Sequence, residues 1–95
     1  MTTTPSVKAL IEVYHSPLCP HCVRARRTLD SLGARYKDYN VLFQPALRHE
    51  MVARSHGRTT VPQIFINDKH IGGNDDMQRL LADGTLLTLL QEQPA

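Results

Sequence analysis

Only two residues in this chain can do thiol chemistry, and they stand together: Cys19 and Cys22, enclosing Pro20 and His21. A thiol reacts as its thiolate, and a free cysteine ionises near pH ~8.5, so something must favour the anion. Cys19 falls just before a helix-like run. The unpaired N–H groups and the dipole of a first helical turn favour negative charge there. Pro20 fits that turn because its missing N–H would have had no partner. Cys22 lies three residues on, on the same helix face, and can reach back to a mixed disulfide on Cys19. This makes Cys19 the nucleophile and Cys22 the resolving thiol. His21 stays open between two roles. A partly protonated imidazole would favour the thiolate and a more oxidising disulfide; an exposed side chain would do little. A Cys/His metal cluster of His15, Cys19, His21 and Cys22 is the competing use of these residues. Adjacent His21 and Cys22 chelate awkwardly, and the chain has no second CxxC or HxxxH, so no metal is expected.

Two further segments carry chemistry. Thr59-Thr60-Val61-Pro62 leads into the strand-like run Gln63-Ile64-Phe65-Ile66. A strand can begin at a proline. With a cis Val61–Pro62 bond, the Val61 N–H and C=O would be free to pair with a peptide-like thiol substrate as an added strand. A plain strand-entry proline is the alternative. Gly72-Gly73-Asn74-Asp75-Asp76 combines two glycines, which let a ligand approach the backbone, with a helix start whose N–H groups suit a carboxylate. Asp75 can bind an ammonium, so the segment suits a zwitterionic amino-acid head group. A simple bend with an Asx cap explains it equally well.

The elements needed to position these segments are legible in outline. Lys8 to Tyr14 reads as a buried strand. Cys22 to Leu32 reads as a helix with Val23, Ala25, Leu29 and Leu32 inward, Arg24, Arg26 and Arg27 on an exposed face, and Gly33 as its stop. Tyr36 to Val41 is a second strand, and Ala46 to Ser55 a helix opened by Pro45. Gln63–Ile66 and Lys69–Ile71 form a hairpin about Asn67-Asp68. A helix capped by Asn74 or Asp75 runs to about Ala82, and Thr85 to Gln91 forms a last short helix. The expected class is α/β: a four-stranded mixed sheet with helices on both faces, in the order β-α-β-α-β-β-α. Residues 1–7 are expected to be a short flexible lead and 8–92 one domain. The 95 residues, 41% hydrophobic and 21% charged, suit a single globular unit.

A net charge of +2 with no Lys/Arg run gives no case for nucleic acid. No apolar stretch approaches the ~20 residues of a membrane span. The N-terminus lacks a signal-peptide pattern. The expected location is therefore the cytoplasm, where disulfides are mostly transient and catalytic. His49, His56 and His70 are expected to face solvent.

Taken in order, Cys19-Pro20-His21-Cys22, Thr60-Val61-Pro62-Gln63-Ile64-Phe65-Ile66 and Ile71-Gly72-Gly73-Asn74-Asp75-Asp76 resemble the glutaredoxin family, in particular its small bacterial dithiol members. The resemblance runs from about Ala9 to Leu90. It implies a thioredoxin-like fold, glutathione as co-substrate, and reduction of protein disulfides and glutathione mixed disulfides. By position it implies that Cys19 attacks, Cys22 resolves and Pro62 is cis. It places the glutathione cysteine on the Val61 backbone. The γ-glutamyl end would lie at Gly73, Asn74 and Asp75, with Thr60 flanking the groove and Arg58 near the glycine carboxylate. Implied partners are disulfide-bonded or glutathionylated proteins, ribonucleotide reductase among the candidates, with glutathione reductase acting indirectly and the chain a monomer.

Three positions depart from the family pattern. His21 stands where tyrosine is usual, Ser16 where lysine is frequent, and Asn74 where some relatives carry a third cysteine. Two other readings remain. One is a redoxin-type hydrogen donor served by thioredoxin reductase, against which Arg58 and the Gly-Gly-Asn-Asp-Asp segment argue. The other is a [2Fe–2S] or metal-binding module, disfavoured by Pro20 and by a Cys22 able to close a disulfide.

Overall fold

The structure, a computed structural model, describes residues 7–94. Its elements are β1 (Ile11–His15), α1 (Pro20–Ser31), β2 (Lys37–Asn40), α2 (Pro45–Arg54), β3 (Gln63–Ile66), β4 (Lys69–Gly72), α3 (Asn74–Ala82) and α4 (Thr85–Gln91). The strands form one sheet in the order β2-β1-β3-β4. β1 runs parallel to β2 and antiparallel to β3, and β3 pairs antiparallel with β4. The mixed four-stranded sheet is thus the one the sequence leads one to expect, with α4 as a separate eighth element beyond Asp83-Gly84.

The central strand β1 is buried along its whole length, and its alternate residues feed two cores. Ile11 and Val13 join Ile64, Ile66, Ala25, Leu29, Met77, Leu86 and Leu90 under α1, α3 and α4. Tyr14 joins Val41, Met51 and Phe65 under α2. Each large side chain so buried contributes roughly 1.5–3 kcal/mol. The second face also holds a polar knot. Arg54 donates to both Glu12 carboxylate oxygens (2.9 and 3.1 Å), to the Tyr14 hydroxyl (2.7 Å) and to Asp68 (3.1 Å). Its guanidinium lies 4.1 Å from the Phe65 ring centre. This explains a glutamate inside an otherwise apolar strand. Arg54 holds the Glu12 carboxyl below its usual value, while burial and then Glu12 push the Tyr39 phenol up to about 12.

The structure corrects several local expectations. β1 starts at Ile11 rather than Lys8, because the Lys8 and Ala9 N–H groups donate to the Leu90 carbonyl (2.9 and 3.1 Å) instead of to a strand. Of the expected flexible lead, residues 1–6 lie outside the described residues, whereas Val7 packs against the first core. In α1 the inward stripe is Cys22, Ala25 and Leu29; Val23 is turned about 100° away and is 39% exposed. The Asn67-Asp68 turn has φ of 50° and 65°, the left-handed pair that a tight hairpin needs. Asn67 also accepts from the Leu10 N–H (2.8 Å) and donates to the Glu92 carbonyl (3.0 Å), which ties the turn to both chain ends of the domain. α3 is capped neither by Asn74 nor by Asp75. Gly73 occupies the cap, and the Asp76 carboxylate reaches back to accept from the Gly73 N–H (2.9 Å).

Candidate active site

Cys19 is the N-cap of α1, in extended backbone geometry, with Pro20 in the first turn. Its sulfur accepts from the Cys22 N–H (3.3 Å), so the sulfur itself caps the helix. Its thiol donates to the Val61 carbonyl (3.5 Å), on a loop 42 residues further along the chain. The Val61–Pro62 bond is cis. Cys22 is only 1% exposed, and burial, together with the neighbouring Cys19 sulfur, pushes its thiol up to about 12. Both cysteines are free thiols.

Beside Val61 opens a groove of about 400 Å³. Every residue the sequence assigns to ligand binding lines it: Arg58, Thr60, Val61, Gly73, Asn74 and Asp75, with Pro62 and His21. Two strands, two helix starts and a loop, far apart in sequence, converge because the N-terminus of α1, the loop before β3 and the β4–α3 bend all meet here. His21 is exposed on this wall. Asn74 is buried, and its side-chain oxygen accepts from Gln78 (3.1 Å) inside α3. The backbone N–H groups of Asn74 and Asp75 belong to the unpaired start of that helix.

The groove also contains residues that sequence reasoning did not select. Asp76 and Arg79 line it, and Arg58 (3.4 Å) and Arg79 both pair with Asp76. The Gly73 N–H, followed by the two arginines, holds the Asp76 carboxyl below its ordinary value. Gly72, at φ +113°, is required by this arrangement: a Cβ there would run into Asp76 Oδ2 and lie 2.8 Å from its Cγ and 3.1 Å from Arg58 Nη1. Gln63 is fully buried and pins the Val61 loop from behind. Its Nε2 donates to the Thr60 carbonyl (2.9 Å) and hydroxyl (3.3 Å), while its Oε1 meets His70 Nε2 (2.6 Å). His70 is accordingly half-buried rather than solvent-facing. The only sequence signals for these roles were a capping-box spacing and a polar residue inside an apolar strand.

The sequence also suggested a Cys/His cluster, and the structure takes it apart. His15 is buried and bonded to Asp38 (2.8 Å), and Arg26, expected on a freely exposed face, pairs with the same carboxylate (3.1 Å). Among the described residues no three His, Cys, Asp or Glu side chains come together to hold a metal ion, and no helix is long and apolar enough to cross a membrane.

A mixed four-stranded sheet that sets a thiol pair at the first helix start, against a cis-proline loop, defines a thioredoxin-like thiol–disulfide oxidoreductase. Comparison with known proteins narrows the class. The glutaredoxin family model matches residues 11–71. Glutaredoxin 3 of Escherichia coli K12 is 47% identical over 83 residues, 87% of this chain and 99% of that protein. A solution structure of glutaredoxin from Brucella melitensis superposes with a TM-score of 0.78 at 40% identity, covering 92% of this chain and 94% of that one. A crystal structure of a buckwheat glutaredoxin–glutathione complex gives 0.79 at 31% identity, covering 88% and 78%. The chain belongs to the glutaredoxin family.

Proposed function

We propose that this chain is a dithiol oxidoreductase that draws electrons from glutathione and reduces protein disulfides and glutathione mixed disulfides. One observation carries the reading: the Cys19 thiol touches the Val61 carbonyl beside a groove lined by Arg58, Thr60, Asn74 and Asp75, whose charged and backbone groups would suit a small zwitterionic peptide. Cys19 Sγ attacks a disulfide sulfur, helped by the N-terminal turn of α1, and a mixed disulfide forms as the first substrate thiolate leaves. A bound glutathione would pair its cysteine backbone with Val61 as an added strand. Its γ-glutamyl carboxylate would meet the Asn74 and Asp75 N–H groups beyond Gly73, and its ammonium the Asp75 side chain. Arg58, half-exposed and loosely paired, would turn to the glycine carboxylate beside Thr60. Cys22 then resolves adducts that glutathione does not, and Pro62 and His21 shape the wall around the sulfur.

The protein targets are disulfide-bonded or glutathionylated proteins, with ribonucleotide reductase a candidate. Glutathione reductase recycles the glutathione. The setting is the cytoplasm, the working unit a monomer of residues 8–92, and no metal takes part. The test is turnover of a small glutathione mixed disulfide and of a protein disulfide with glutathione, NADPH and glutathione reductase. Turnover supported only by thioredoxin reductase would show a redoxin-type donor instead. A visible absorption band in anaerobically purified protein would show a cluster-binding module.

A further inference from the structure

Beneath α1, between that helix and strands β1 and β2, lies a charged cluster that the groove does not contain. His15 ends β1 with its side chain 8% exposed, and its Nε2 meets Asp38 Oδ1. Asp38 Oδ2 takes Arg26 Nη2. His15 Nδ1 and Arg26 Nε are buried with no partner. Unpaired buried nitrogens cost free energy, so tying strands together is a poor account of the cluster. Arg26 stands one turn beyond Cys22 on the same face of α1, where residues four apart are neighbours. Ser16, next to His15, presents its backbone to both the His15 ring and the Cys22 thiol. The cluster therefore sits against the resolving cysteine.

We propose that Arg26, Asp38 and His15 act as a charge-setting triad that governs how readily Cys22 gives up its proton and closes onto Cys19. Of the groups acting on Cys22, burial and the Cys19 sulfur oppose the thiolate; the Ser16 backbone and then Arg26 favour it, and Arg26 is the one cation among them. The Tyr36 phenol acts most strongly on that guanidinium, followed among charged groups by Asp38 of β2, which offsets its charge, and by the Asp30 carboxylate. On the α3 side, the neighbours of α1 are Met77 and Gln78, which do not titrate. His15 faces only Asp38 and Arg26 among charged groups, and burial holds it below its ordinary value. Burial, the largest influence on the ring, keeps His15 neutral, with its proton on Nε2 toward Asp38. It donates to Asp38 and draws part of that carboxylate's charge away from Arg26. Arg26 and His15 are thus accelerators and Asp38 a brake. In the step they set, the Cys22 proton passes to solvent and Cys22 Sγ attacks Cys19 Sγ. The bond from Cys19 to the substrate sulfur breaks, and the substrate leaves as a thiolate, its sulfur reduced as Cys22 is oxidised.

The inference rests on the dithiol reading, and the experiment separates the two. Ellman's reagent is mixed with reduced protein in a stopped-flow instrument. Cys19 attack releases one thionitrobenzoate, and closure by Cys22 releases the second. Arg26→Gln should slow the second release about tenfold near neutral pH and move its pH midpoint upward, while Asp38→Asn should speed it about threefold and move the midpoint downward. Arg26→Lys should restore most of the rate, and His15→Phe should slow it less than Arg26→Gln. The first release should change much less than the second in every variant. Unaltered second phases, or equal changes in both phases, would overturn the triad. Loss of the second release in Cys22→Ser belongs to the dithiol reading; its persistence would sink that reading.

Discussion

The two cysteines of this chain are neighbours in sequence and occupy opposite environments. Cys19 is half-buried, caps a helix and touches the Val61 carbonyl on the loop that lines the groove. Cys22 is 1% exposed, and its thiol is pushed up to about 12. Desolvation marks the inner one: an anion at Cys22 would be cut off from water, with only the Ser16 backbone and Arg26 to favour it. A dithiol enzyme gains from this difference. In the proposed dithiol cycle the outer sulfur attacks, and the inner one stays protonated until a mixed disulfide brings an electrophile to it.

The sharpest way to break this comparison is to remove each sulfur in turn. Cys19→Ser should lower both mixed-disulfide and protein-disulfide reduction by about a thousandfold or more. Cys22→Ser should spare mixed-disulfide reduction and strongly impair the dithiol reaction. Equal loss of both activities in folded Cys22→Ser protein would show that the inner thiol serves the outer one directly.

The groove side is sharpened by Gly72→Ala. The new Cβ meets Asp76 at a backbone angle that alanine avoids, so a loss of about 2 kcal/mol in urea unfolding is expected. KM for a glutathione mixed disulfide should rise more than kcat falls, because the Asp76–Arg58 wall moves while Cys19 does not.

The opposite face of β1 provides a control remote from both thiols. Arg54→Met should cost about 3 kcal/mol by leaving Glu12 buried without its cation. The folded Glu12 carboxyl lies below its unfolded value, so its contribution is full above pH ~4.5 and fades as pH falls through the folded value. Urea unfolding of the native chain should therefore weaken in that acid window, and Arg54→Met should flatten the dependence there.

The smallest effect concerns His15. Its folded value is lowered by burial, so the unfolded chain binds the proton more readily. Stability should begin to fall as pH drops below about 6.5, and His15→Asn should remove this component of under about 1 kcal/mol. An NMR titration placing His15 above the usual imidazole range would contradict its neutral, buried state.

Much of the site was legible because its parts are local. A CxxC before a helix, a proline opening a strand and a Gly-Gly bend before another helix each announce their chemistry within a few residues. Even the strand and helix order followed from periodicity and turn residues. What escaped was whatever depended on a partner from another element. Val23, expected inward, turns out to solvent while its neighbour Cys22 faces the core, because one step on a helix turns 100°, which composition does not register. Gln63, Asp76 and Arg79 looked ordinary until His70, Gly73 and Arg58 were placed beside them. Arg26 looked like one of three solvent-facing arginines until β2 brought Asp38 up to it.

By itself the sequence determined the reactive atoms, the fold class and the family, because these are written in residue type and short-range spacing. Only the tertiary structure decided which side chains share a groove, which thiol is desolvated and which charges cancel. Those properties depend on distance through space and on exclusion of water, and both arise when the four strands assemble and bring residues forty positions apart into contact.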